Sequence, residues 1–290
     1  MKEIKKAVIP VGGFGTRLLP ITKSQPKEML PIVDKPAVQY VVEEAVKSNI
    51  SNILLITGRG KRAIEDYFDY AVELESELEE KGKQELLKVV REPSELAKIF
   101  YVRQKKPLGL GDAVRQAKGF INEEYFGVLL ADDIIDADIP VLKQMIEVHE
   151  KYGGNVIAVM EVPMSETKSY GVIEGTKIDG DVYEVSDLVE KPEPIEAPSN
   201  LAIIGRYILN YTIFDAIEKT EPGKNGEIQL TDAIKKLLYK EKVYAYKFKG
   251  ERYDVGEKSG YIEANISFAL KRDDLKETIK SYIEYLLKRE

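Results

Sequence analysis

The stretch Lys6-Ala7-Val8-Ile9-Pro10-Val11-Gly12-Gly13-Phe14-Gly15-Thr16-Arg17 decides the reading of the fold. Its apolar run is of the kind buried on both faces of a parallel sheet. The run passes straight into three glycines, which permit positive φ and let backbone N–H groups approach a bound anion. Arg17 adds a planar fork of donors suited to phosphate oxygens. Two known phosphate loops do not fit. A Walker A loop ends in Gly-Lys-Ser/Thr, which is absent, and the pattern G-x-G-x-x-G fails because Leu18 holds the third glycine position. From the residues alone, the turn serves either as a phosphate cradle or as a tight turn packed on a neighbouring strand.

Working outward, short apolar runs alternate with helical patterns. Val38, Val41, Val42, Ala45 and Val46 follow helical i, i+3, i+4 spacing. Ile53–Ile56, Ile99–Val102 and Phe126–Leu130 read as further strands. This β-α-β-α order predicts a parallel sheet covered on both faces. The segment from Val72 to Lys98, crowded with Glu and Lys, reads as an exposed helical excursion. After Gly153-Gly154 the pattern changes. Runs at Val156–Val162, Gly171–Glu174, Val182–Val189, Leu201–Leu209 and Val243–Phe248 are strand-like and poorly separated by helices, which predicts a mixed extension of the first sheet. Leu275, Ile279, Tyr282, Ile283 and Leu286 mark an amphipathic terminal helix. It could pack on its own domain or on a second chain, and a homo-oligomer is the expected state. No internal repeat or low-complexity linker interrupts the 290 residues, so one continuous domain is expected.

Composition narrows the chemistry. The chain carries 43 Lys+Arg against 50 Asp+Glu, a net charge of −7, which offers no general attraction to nucleic acid or an anionic membrane. With no cysteine there is no thiol chemistry. The single histidine, His149, lies among Glu147, Glu150 and Lys151 and reads as a surface residue, which disfavours a Ser-His-Asp mechanism or a His-bound zinc. No apolar run is long enough to span a bilayer, and the start lacks the apolar core of a signal peptide, so the cytoplasm is the expected compartment.

The loop Pro20-Ile21-Thr22-Lys23-Ser24-Gln25-Pro26-Lys27-Glu28-Met29-Leu30-Pro31 is stiffened by proline and presents Lys23 and Lys27 near the glycine turn. Further on, the strand Phe126–Leu130 stops in Ala131-Asp132-Asp133, which places carboxylates where open α/β sheets bind ligands. Successive strand residues point to opposite faces, so one acid of the two faces the site.

The run GGFGTRLLPITKSQPKEMLPIVDKP resembles the nucleotide-binding signature of the sugar-phosphate nucleotidyltransferases, and most of all their bacterial and archaeal branch acting on UTP and glucose-1-phosphate. The likeness continues in order through Val102-Arg103-Gln104, Pro107-Leu108-Gly109-Leu110-Gly111-Asp112-Ala113, Leu130-Ala131-Asp132-Asp133, Tyr170-Gly171-Val172-Ile173, Val189-Glu190-Lys191-Pro192, Gly226-Glu227-Ile228-Gln229-Leu230-Thr231-Asp232 and Tyr253-Asp254-Val255-Gly256.

The resemblance implies a Rossmann-like three-layer α/β fold whose mostly parallel mixed sheet is flanked by helices. It implies a nucleotide-binding half over 1–150, a sugar-phosphate half over 151–260 and terminal helices over 261–290. It implies that Gly12, Gly13, Gly15 and Thr16 receive the nucleotide, and that Gln104 and Gly109 read the base. Asp132 and Asp254 would hold Mg2+, a hard ion that takes one or two carboxylates plus substrate phosphates. Arg17 and Lys27 would screen the triphosphate. Gly171 and Glu190 would hold the sugar, and Lys191 its phosphate. The implied reaction is uridylyl transfer from UTP to glucose-1-phosphate. Two alternatives are the same chemistry with dTTP and a non-catalytic nucleotide-sugar sensor. A sensor would be expected to lose the acids or the Arg17/Lys27 pair, and all four residues are present. From composition alone Glu190-Lys191 also reads as an exposed ion pair, and Tyr253-Asp254-Val255-Gly256 as an ordinary turn. The segment from Gly226 to Asp232 gives no role beyond lining a pocket or capping a helix.

Overall fold

A computed structural model of the chain describes residues 3–223 and 226–289. The first half contains β1 (Lys6–Pro10), β2 (Pro31–Ile32), β3 (Lys35–Pro36), α1 (Ala37–Lys47), β4 (Asn52–Thr57), α2 (Arg62–Phe68), α3 (Val72–Glu80), α4 (Gln84–Glu95), β5 (Lys98–Arg103), α5 (Leu110–Arg115), β6 (Tyr125–Leu129), β7 (Asp133–Asp136) and α6 (Val141–Tyr152). Then follow β8 (Asn155–Glu161), β9 (Gly171–Asp179), β10 (Val182–Glu190), β11 (Leu201–Asn210), α7 (Ile213–Glu218), α8 (Leu230–Leu237), β12 (Val243–Lys247), β13 (Glu251–Asp254), α9 (Lys258–Leu270) and α10 (Lys276–Leu287).

Nine strands form one sheet in the order β5-β4-β1-β6-β11-β8-β12-β10-β9. The block β5-β4-β1-β6 is parallel, as the β-α-β order requires, and β8 and β12 are parallel to each other. Only β11 and β10 run against the rest, β11 against β6 and β8, β10 against β12 and β9. The expected mixed, mostly parallel sheet is what forms.

Alternation along β1 explains the layering. Val8 faces a core shared with Val114, Ala117, Phe214, Ile217, Ala233 and Ile234, under α5, α7 and α8. Ala7 and Ile9 face the opposite core, with Val38, Val41, Val42, Ile64, Leu142 and Met145 under α1, α2 and α6. A sheet covered on both faces needs apolar residues at nearly every position, hence the continuous runs. The charged excursion forms α3 and α4, whose side chains are mostly exposed apart from Leu78, Leu87 and a few neighbours.

A third, smaller core of Ile32, Ala37, Ile134, Tyr253, Val255 and Ala264 sits where α9 packs over the hairpin β2–β3 and the pair β7–β13. Beyond it, α10 buries none of its residues in this chain. Among the described residues no helix is long and apolar enough to cross a membrane.

His149 corrects the sequence reading. It is buried at 2% exposure, not on the surface. It lies in the last turn of α6 on the face that packs on the sheet, with its ring 4.4 Å from that of Tyr125. Nδ1 lies 2.8 Å from the Gly154 carbonyl oxygen, while Nε2 has no partner among the described residues. Its charged sequence neighbours occupy the opposite side of the helix, so local polarity misleads.

Candidate active site

The glycine turn leaves β1 at the carboxyl end of the parallel block. Gly15 adopts φ +66, and a β-carbon there would meet Thr22 and Lys27 at 3.1–3.2 Å. Gly12 and Gly13 line a cleft of about 320 Å3, closed on its other sides by Lys27, Glu28, Gln104, Gly109, Asp132 and Glu227. Thr16 is exposed at the head of a short 3-10 turn that carries Arg17.

Lys27 belongs to a second 3-10 turn, Lys27–Met29. The turn is anchored by the buried Glu28, which accepts a hydrogen bond from buried Lys61 at 2.7 Å. Burial pushes the Glu28 carboxyl up, against the opposing pull of Lys61 and Lys27. With the next residue fixed inside, the Lys27 ammonium reaches the cleft and donates to Asp132 Oδ2 at 2.5 Å. Burial alone would raise the Asp132 carboxyl. The Lys27 ammonium, helped by Arg17, outweighs it and holds Asp132 below the usual carboxylate range.

The two candidate metal acids meet through one local device. β6 ends at Leu129, and Asp133 begins β7, which pairs with β13 so that Asp254 lies directly opposite Asp133. The Val255 N–H also donates to the Asp132 carbonyl at 2.9 Å. Asp132 turns into the cleft. Asp133 turns away, accepting from Arg252 Nε at 2.5 Å and from the Gly205 N–H at 3.1 Å. Of the two adjacent acids, Asp132 alone lines the cleft. Arg252 continues to Asp254 at 3.3 Å and donates to the Tyr170 hydroxyl at 3.1 Å. Burial, then the nearby Asp133 carboxylate, push the Asp254 carboxyl up.

Arg17 closes the cluster. Its guanidinium donates to Glu257 at 2.5 Å and stands 3.6 Å from Asp132 and 3.8 Å from Asp254. Gly256 lies at the centre. A β-carbon there would stand 2.7 Å from an Arg17 nitrogen and 3.1 Å from a carboxylate oxygen of both Asp132 and Asp254. Two carboxylates thus border one point kept open by a glycine. Among the described residues no group of three or more metal-binding side chains forms. A pair of oxygen donors fits a hard divalent ion that keeps much of its water and takes phosphate oxygens.

Gln104 directly follows β5 beside the cleft, with its amide oxygen near Gly12. Gly109 (φ +99) opens α5, and β-carbons at Gly109 and Gly111 would each come within 2.8 Å of the Ile228 carbonyl oxygen. Gly111 N–H donates to Ile228 O, and Ile228 N–H to Leu108 O, each at 2.8 Å. The segment around Ile228, which the sequence reading could only place as a pocket wall or a helix cap, is therefore the backbone partner of the loop Pro107–Gly111.

On the far side, Gly171 and Glu190 face each other across β9 and β10. A β-carbon on Gly171 would stand 2.8 Å from the Thr231 hydroxyl and 3.2 Å from a Glu190 oxygen. Lys191 holds φ +48, an uncommon conformation for a residue with a side chain. Its N–H donates to the Tyr170 carbonyl at 2.9 Å, and its ammonium stands 3.3 Å from Glu190. Buried Tyr207 links the two regions. Burial raises its phenol, and the carboxylates of Asp133, Glu190 and Asp132 raise it further.

The structure thus gathers Arg17, Lys27, Asp132 and Asp254 at one point, Gly12, Gly13, Gln104 and Gly109 around the adjoining cleft, and Gly171, Glu190 and Lys191 on the neighbouring strands. The sequence reading gave no place to Arg252, Glu257 or the Glu28–Lys61 pair, and it named Gly256 and Thr231 only within longer motifs. The run Arg252-Tyr253-Asp254-Val255-Gly256-Glu257 held most of that signal, because it concentrates charge around a strand end followed by a glycine.

Residues 6–270 match the nucleotidyl transferase family. The chain is 54% identical to a UTP–glucose-1-phosphate uridylyltransferase of Staphylococcus epidermidis, over 99% of both chains. It is 52% identical to the enzyme of that name from Bacillus subtilis, over 100% of this chain and 99% of the relative. Among solved structures, a UTP-bound enzyme of Acinetobacter baumannii superposes with a TM-score of 0.89 at 40% identity, covering 97% of this chain and 99% of the other. A UDP-glucose pyrophosphorylase complexed with UDP-glucose gives 0.86 at 47% identity, over 93% of this chain and 100% of the other.

Proposed function

The chain belongs to the nucleotidyl transferase family, and from that premise we propose that it transfers the uridylyl group of UTP to glucose-1-phosphate, releasing pyrophosphate. The observation that carries the reading is the convergence of Lys27 and Arg17 on Asp132 and Asp254 at the mouth of the glycine turn. The relatives at 54% and 52% identity are uridylyltransferases, which favours UTP over dTTP.

The glycine turn and Thr16 receive the triphosphate, while Gln104 and Gly109 meet the base. Mg2+, held by Asp132 and Asp254, would neutralise charge on the triphosphate. Lys27 and Arg17 stand against those same acids. They are therefore already placed to turn onto phosphate oxygens whose charge grows in the transition state. Glu190, with Gly171 beside it, holds the sugar, and Lys191 draws in its phosphate. An oxygen of that phosphate attacks the α-phosphorus in line, and alignment supplies much of the rate. A phosphate monoester is already a nucleophile near neutral pH, so no general base is required. Exposed Tyr282, Tyr285 and Leu287 on α10 support a homo-oligomer, and the proposed compartment is the cytoplasm, which supplies UTP.

The test is pyrophosphate release across a matrix of nucleoside triphosphates and sugar-1-phosphates, run on the parent and on Asp132→Ala. UTP with glucose-1-phosphate should give the highest turnover, and the variant should fold yet lose nearly all of it at equal magnesium. Equal turnover by the two proteins would remove Asp132 from the mechanism.

A further inference from the structure

We propose that Asp112 is a specificity-positioning residue: it locks the Gln104 side chain so that only its amide oxygen meets the base, as an acceptor for the imide N–H of uracil. The inference deepens the uridylyl reading and rests on it.

A glutamine amide alone is ambiguous, since it can offer a donor or an acceptor by rotating half a turn. Here the surroundings remove the ambiguity. Gln104 Nε2 donates to Asp112 Oδ2 at 2.7 Å and to the Gly109 carbonyl at 3.2 Å. Both of these partners accept, as a carboxylate and a backbone carbonyl do. A flipped amide would set its oxygen against two acceptors and leave a buried charge short of a donor, which is costly. Asp112 is itself fixed. It is 2% exposed on α5, and its other oxygen is held by Arg115 and, at 3.4 Å, by the Gln116 amide. With both amide hydrogens committed, Gln104 Oε1 is left beside Gly12 in the cleft.

The chemical consequence is selective. The Watson–Crick edge of uracil carries an N–H at N3, which an acceptor oxygen welcomes. Cytosine carries a bare ring nitrogen at N3, which sets lone pair against lone pair. A site built to hydrogen-bond a substrate N–H rejects an analogue that lacks it, because its own polar group is left unpaired. Asp112 does not touch the base, so its effect must pass through the orientation of Gln104.

The experiment measures pyrophosphate release with UTP, CTP and 3-methyl-UTP at saturating glucose-1-phosphate. In the wild type, CTP and 3-methyl-UTP should each show kcat/KM lower than UTP by about a hundredfold or more. Asp112→Asn replaces an acceptor-only group by one that can also donate, so the Gln104 amide can turn. UTP should then lose about tenfold in kcat/KM and CTP should gain about tenfold, with KM for glucose-1-phosphate and Tm nearly unchanged. A UTP/CTP ratio that stays within twofold of the wild type, or a wild type that accepts 3-methyl-UTP as well as UTP, overturns the proposal. Side-chain amide exchange by NMR tests the lock without any variant. The Gln104 NH2 protons of the wild type should exchange at least about tenfold more slowly than those of exposed glutamines, and free exchange would also overturn it. A wild type that releases no pyrophosphate from UTP with any sugar phosphate overturns instead the uridylyl reading, whatever the exchange result.

Discussion

At the residue scale, Gly256 shows how an absent side chain can define a site. Its φ lies outside the left-handed region, so alanine is sterically permitted by the backbone. The added methyl would nevertheless sit between the two acids and against Arg17. Gly256→Ala should therefore keep Tm within a few degrees while lowering kcat by about a hundredfold, the scale of losing one electrostatic contact in the transition state. An unchanged kcat in a pyrophosphate-release assay would show that the point between the acids is unused. His149 gives a residue-scale prediction of a different kind. Burial holds its imidazole below the ordinary value of 6.5, with the Gly154 carbonyl pulling weakly the other way. The unfolded chain binds that proton at higher pH than the folded chain, so stability drops as pH falls below 6.5 and the loss grows until the folded-state value is reached. His149→Phe lacks this proton. The Tm of the wild type minus that of the variant should shrink between pH 7.5 and 5.5 in calorimetry, and a constant difference would show that the imidazole does not titrate in the fold.

At the scale of elements, the hairpin β2–β3 carries an unusual turn. Its two loop residues are Val33 and Asp34, and Val33 holds φ +62. A β-branched residue in that region is strained by roughly 1–2 kcal/mol. The strain is held by α9 and the residues after it, since Val33 N–H donates to the Asn265 side chain at 2.9 Å and Asp34 pairs with Arg272. Asparagine tolerates the left-handed region, so Val33→Asn should raise stability by about 1 kcal/mol in urea titration. A lowered midpoint would mean that the half-buried isopropyl group contributes more packing than the strain costs. Elements also decide the fate of neighbouring acids. The register of β11 against β8 shifts between Ile204 and Tyr207, and Gly205, in that gap, brings its N–H within reach of the Asp133 carboxylate. A β-carbon at Gly205 would stand 2.4 Å from Asp133 Oδ2. Without that irregularity, Asp133 would lose the close approach that turns it away from the cleft.

Across the whole molecule, one buried ion pair joins the layers. Arg206 on β11 is fully buried and makes a two-pronged contact with Glu44 on α1, with its closest approach at 2.7 Å. It also donates to the carbonyls of Leu130 and Asp133, which flank Asp132. One side chain thus pins a covering helix, a central strand and the backbone beneath the site. Removing one partner of such a pair leaves a buried charge uncompensated and costs about 3–5 kcal/mol. Arg206→Met should lose that much in chemical denaturation, and adding Glu44→Met should restore a large part of it. If the double variant were no more stable than the single one, the penalty would lie in the lost carbonyl contacts.

The sequence by itself determined the parallel block, because strands buried on both faces must be apolar almost throughout and those runs stand out between helical patterns. It also marked Gly12 to Arg17, Lys27, Asp132 and Asp254 as candidate positions, through the resemblance of their ordered motifs to the sugar-phosphate nucleotidyltransferases, where the residue types alone left a tight turn or an ordinary loop equally open. Other features needed the tertiary structure. The burial of His149 depends on which side of α6 meets the sheet, and its polar neighbours in sequence point the wrong way. The company kept by Asp254 depends on β13 pairing with β7, a contact between distant segments that no local pattern encodes. The same holds for Gln104, whose residue type offers two hydrogen-bonding faces, of which the packed Asp112 carboxylate and the Gly109 carbonyl select one. Periodicity reports how a residue relates to its own element, whereas a site is made where several elements end, so its final geometry is fixed by long-range packing.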